Sequence, residues 1–112
     1  MVVANVQPVP VNVYETTGAL VIVAPLPGVM AVDIEVELEP GRVQIRAGMR
    51  TAAPKDYLVH EWHYGPFERT VEIPEDFGRE AHATFGNGQL ALSLSRGDPE
   101  TPGPVTVHPV QA

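Results

Sequence analysis

The sequence contains no cysteine. Disulfides, thiolate metal sites and cysteine nucleophiles are therefore excluded, and the chain suits a reducing, cytoplasmic setting. No run of about 18 apolar residues occurs, so nothing reads as a membrane span. The opening Met1-Val2-Val3-Ala4-Asn5 lacks a basic region followed by an apolar stretch, so no secretory leader is expected. Positive charge is scarce: Lys and Arg total 7 against 14 Asp and Glu, for a net charge of −7. Arg42, Arg46, Arg50, Lys55, Arg69, Arg79 and Arg96 are scattered. An acidic surface repels a phosphate backbone, so nucleic acid is not an expected partner, and with no apolar span no membrane partner is expected either. The acidity serves solubility. Amphipathic helices of ordinary length, internal repeats and glycine-rich phosphate loops are absent too.

What the chain does contain is 44% hydrophobic residues, 12 prolines and 10 glycines in 112 residues. That length suits one domain with a core. The prolines and glycines cut the apolar residues into short pieces, which favours strands over helices. Residues 1–10, with Pro8 and Pro10, read as a short N-terminal arm. Val11–Glu15 alternates, and Ala19–Ala24 is continuously apolar, as a central strand would be. Pro25-Leu26-Pro27-Gly28 stops it. In Val32–Glu39, Val32, Ile34, Val36 and Leu38 face one way and four carboxylates face water. Pro40-Gly41 turns the chain into the alternating Arg42–Ala47. Residues 48–56 read as loop, Tyr57–Tyr64 as an aromatic-rich strand, Phe67–Ile73 as a strand and Glu75–Glu80 as a short helical turn.

The segment Ala83–Leu94 is the sharpest local signal. Asn87-Gly88 offers the two positive-φ positions of a tight hairpin, and Leu90, Leu92 and Leu94 recur with period two. Residues 97–104 are polar and rich in Gly and Pro, and Val105-Thr106-Val107-His108-Pro109 is extended and apolar. Short strands with turn signals every eight to twelve residues or so predict an all-β chain. The expected fold is an immunoglobulin-like antiparallel β-sandwich of about seven or eight strands. It would span residues 11–96, followed by a flexible C-terminal tail over 97–112.

Catalytic and metal chemistry find little support. Ser93 and Ser95 lie in a strand pattern without a nucleophile elbow. Asp33, Glu35, Glu37 and Glu39 form a solvated face where no burial would raise a pKa. His60 and His63 are three apart, and on a strand they point to opposite sides. His82 and His108 add no ligand spacing. No enzyme activity, cofactor or metal is expected. His60, Trp62 and Tyr64 would share one face, where core or interface packing suits the rings.

Four ordered landmarks resemble the α-crystallin domain of small heat-shock proteins. They are Ala24-x-Leu26-Pro27-Gly28-Val29, Tyr64-Gly65-x-Phe67-x-Arg69 with Ile73-Pro74, Ala83-x-x-x-Asn87-Gly88-x-Leu90, and the tail Val105-x-Val107. Asp33-Ile34-Glu35-Val36 followed by Gly41 resembles the family's next hairpin. The resemblance implies a cytoplasmic, stress-response chaperone that holds partly unfolded clients without ATP and assembles with itself as a homodimer or small oligomer. The same sandwich also serves adaptors that bind one folded partner. A short arm implies smaller oligomers and weaker holding activity, and favours the adaptor. The landmark segment Ala83–Leu94 and the tail favour the chaperone.

Val105 and Val107 are the candidate oligomerisation motif: spaced i, i+2, they point the same way and suit β-strand addition. The expected acceptor lies between the Val32–Glu39 and Gln89–Leu94 strands, lined by Val36, Leu38, Leu90 and Leu92. The plain alternative makes those four ordinary core residues and the tail unattached. Arg69 alternates with Phe67, Val71 and Ile73 and so points to the apolar side of its strand. Two roles stay open for it: a long stem reaching solvent, or, as the resemblance implies, a dimer-interface charge. Trp62 is a second candidate for that interface.

Overall fold

In the computed structural model, residues 7–48, 55–62, 66–97 and 104–112 are described. Their strands are β1 (Gln7–Pro8), β2 (Asn12–Glu15), β3 (Ala19–Pro25), β4 (Ile34–Glu39), β5 (Arg42–Ala47), β6 (Phe67–Glu72), β7 (Phe77–Gly86), β8 (Gln89–Arg96), β9 (Val105–Val107) and β10 (Val110–Gln111). They form two sheets, ordered β1-β6-β5-β4-β9 and β10-β7-β8-β3-β2. The longer strands pair antiparallel; only the two-residue strands β1 and β10 pair parallel. This is the predicted β-sandwich.

Alternation builds the core. Leu20, Ile22 and Ala24 of β3 and Leu90, Leu92 and Leu94 of β8 face inward from one sheet. Ile34, Val36 and Leu38 of β4 and Val43, Ile45 and Ala47 of β5 meet them from the other. Among the described residues, no polar or charged side chain is buried. A one-residue slip would turn any of these faces to water, so the register is firmly specified.

Asn87 and Gly88 adopt φ of 52° and 74°. Gly86 pairs with Gln89 across them, giving the two-residue hairpin predicted from Asn-Gly. The Pro25–Gly28 corner is tied to that turn, since Leu26 N donates to Gly88 O at 2.8 Å.

Three expected elements differ. Val32 does not continue the inward face of β4: Ala31–Asp33 is a single 3-10 turn, closed by Asp33 N donating to Met30 O, and Val32 is 73% exposed. A turn with three residues per repeat breaks the period of two. Tyr57–Trp62 is exposed and non-strand, while the rest of the expected strand, His63 and Tyr64, lies outside the described residues. The segment cannot add to β6, the strand that follows it, because β6 pairs with β5 on one side and β1 on the other. Glu75–Glu80 is not helical; a turn at residues 75–76 leads directly into β7, which carries an irregularity between Phe77 and Ala81.

Candidate functional site

A strand with an unpaired edge presents its N–H and C=O groups to any extended chain. Four outer strands in this sandwich raise that question, and the chain covers three of them itself: β1 lies on β6, β9 on β4 and β10 on β7. Among the described residues, nothing pairs with the outer side of β2, whose four residues are all exposed.

The mouth between β4 and β7 is the candidate site. Val107 pairs with Val36, Thr106 with Glu37 and Val105 with Leu38. Directly opposed residues share a sheet face, so both valines point inward with Val36 and Leu38. Val107 is partly buried against the core, whereas Val105 is 37% exposed at the rim. The structure thus brings Val105, Val107, Val36 and Leu38 together.

The other wall is corrected. The expected Gln89–Leu94 strand, β8, is an interior strand between β7 and β3. Leu90 and Leu92 are wholly buried core residues. The outer strand facing the mouth is β7. A strand alternating apolar and polar residues looks the same at an edge and one position inside it.

The segment after Val107 carries contacts that the sequence pattern did not point to. Val110 pairs with Thr84 and Gln111 with Phe85, and Ala112 N donates to Phe85 O at 2.9 Å. Pro109 is buried at the crossing between the sheets. Stacked sheets lie about 10 Å apart, which three Cα steps from Val107 to Val110 can span. At two residues, the paired stretch is too short for any periodicity to mark it in the sequence.

Arg69 does lie on the apolar side of β6, between buried Phe67 and Val71. Its guanidinium Nη1 donates to Val9 O at 3.0 Å, a backbone carbonyl of the N-terminal segment, and its Nε donates to the adjacent Thr70 O at 3.4 Å. Val9 is itself 1% exposed. Trp62 sits in the exposed Tyr57–Trp62 segment, well away from a core position at 53% exposure, with Leu58 and Val59 exposed beside it. His60 stacks on Tyr57 with ring centroids 4.3 Å apart. Among the described residues, no group of three or more His, Asp or Glu is placed to hold a metal, and no helix is long and apolar enough to cross a membrane.

Comparison with known proteins finds relatives with the same fold. The 18.8 kDa class II heat shock protein of Ipomoea nil is 33% identical over 100 residues, covering 83% of this chain and 60% of its own length. The chain therefore spans about 60% of that relative's length. A small heat-shock protein from Xylella fastidiosa superposes with a TM-score of 0.70 at 25% identity, covering 88% of this chain and 94% of that one. The hspA of Xanthomonas axonopodis gives 0.72 at 24% identity, over 80% and 94% of the two chains. The model of the Hsp20/alpha crystallin family matches residues 12–109, the whole span from β2 to the corner at Pro109, and the chain belongs to that family.

Proposed function

We propose that the protein is an ATP-independent chaperone that binds partly unfolded proteins and limits their aggregation. The observation that carries this reading is the β4 edge, an apolar-faced strand covered, among the described residues, by the three-residue β9 segment of the same chain. A client segment with alternating apolar side chains carries the same main-chain groups as β9 and can replace it there. Three residue pairs and two incompletely buried valines hold β9 in place. Such a contact is worth roughly 1–3 kcal/mol, weak enough to open thermally. In this reading Val36 and Leu38 form the floor of the client groove, and Val105 and Val107 are its resident occupants.

Weak single contacts become effective when several grooves act together. The reading therefore includes self-association as a homodimer or small oligomer. The exposed Leu58, Val59 and Trp62 and the open β2 edge support it. It assigns no catalytic step to any residue, and it places the chain in the cytoplasm, where a cysteine-free protein needs no oxidising compartment.

The test is thermal aggregation of a heat-labile model enzyme, followed by light scattering without nucleotide. Scattering should fall as the protein approaches a stoichiometric ratio to the client. Scattering unchanged at a large excess would overturn the proposal.

A further inference from the structure

Gly86 closes β7 with ordinary extended backbone; its φ is not among the positive values found at five other glycines. Nothing in its conformation calls for glycine, and any residue would fit the strand. What it lacks room for is a side chain. A Cβ placed there would lie 2.9 Å from the Cβ of Ala112, closer than carbon atoms approach. Gly86 is thus a seat for Ala112.

Three further features converge on the same place. Ala112 N donates to Phe85 O at 2.9 Å. Val110 and Gln111 extend the second sheet by pairing with Thr84 and Phe85. Pro109, at the buried crossing between the sheets, has no N–H of its own to leave unpaired there. Residues 105–112 therefore hold the sandwich at two edges, β4 and β7, joined by a short proline-containing link.

We infer that Val110–Ala112 is a latch, with Gly86 and Phe85 as its receptor, and that it keeps the β9 segment seated on its own subunit. This rests on the groove reading above and deepens it by naming what controls access to the groove. While β9 is seated, β10 is held within two residues of its edge, so its effective concentration there is high. Release of the groove then needs both contacts to open. An incoming segment that replaces β9 alone competes against the pair.

The test is binding of a fluorescein-labelled peptide, Pro104–Pro109, to full-length protein, read by polarisation. Two variants loosen the latch without touching β9. Gly86→Ala adds the methyl that meets Ala112. Ala112→Pro removes the donor to Phe85 O and lies outside the core, so it is safe if the first variant folds poorly. Val105→Ser with Val107→Ser empties the groove itself and is the reference. Both latch variants should bind the peptide about tenfold more tightly than wild type, the equivalent of one or two net hydrogen bonds, and the reference should bind at least as well. If the reference binds and both latch variants behave as wild type, the latch is overturned and the groove stands. If no protein binds, the reference included, the groove reading falls and the latch with it.

Discussion

Val107 stands directly opposite Val36 in the β9–β4 pair, and it completes from outside a face whose other members are almost wholly buried. Val105, opposite Leu38, sits at the rim. The two valines of one motif are therefore unequal. Val107→Ser should lower the unfolding free energy by about 1–2 kcal/mol through lost burial, and Val105→Ser by roughly half a kcal/mol or less. Urea denaturation at constant m measures both. Equal effects would mean that the tail does not sit in this register.

Leu92 distinguishes core from groove. As an interior residue of β8 with no exposed surface, Leu92→Ala should cost about 2–5 kcal/mol. The denaturation midpoint should fall accordingly. A loss below about 1 kcal/mol, with altered peptide binding instead, would return Leu92 to the groove wall.

Arg69 acts through the N-terminal segment. Arg69→Met keeps the apolar stem and removes the donor to Val9 O. With the side chain only half-buried, the cost should be about 1 kcal/mol. Amide exchange across residues 7–11 should accelerate while native mass stays constant. A fall in mass with unchanged exchange would assign Arg69 to a subunit interface instead.

The hairpin depends on backbone conformation at Gly88. Its φ is 74°, and a Cβ there would meet nothing within 4 Å. Gly88→Ala should therefore destabilise by about 1 kcal/mol through left-handed strain alone, read as a lower melting temperature. An unchanged melting temperature would rule out the two-residue turn.

Much of this architecture was legible because period and turn chemistry are local. Ile34, Val36 and Leu38 announced a buried face, and Asn87-Gly88 announced a hairpin. Neighbour relations are not local. Period two says which side of a strand is apolar but not which strand lies next to it, so the pattern of Leu90 and Leu92 suits an edge that β7 in fact occupies. Tyr57–Trp62 has the composition of a strand, but both sides of the neighbouring β6 are already paired, by β5 and β1. Val32 fits the alternation of β4 yet is turned outward by one 3-10 turn. The β10 latch spans two residues, too short for any periodicity, and its receptor is marked only by the missing side chain at Gly86.

The central claim is that clients bind where β9 rests on β4. Competition tests it most directly. Aggregation of a heated model enzyme is followed in the presence of the Val105→Ser/Val107→Ser variant, whose groove is uncovered, with and without excess free peptide Pro104–Ala112. The account predicts that the variant protects the client and that the peptide abolishes this protection by filling the groove. Protection that persists unchanged under saturating peptide would contradict it.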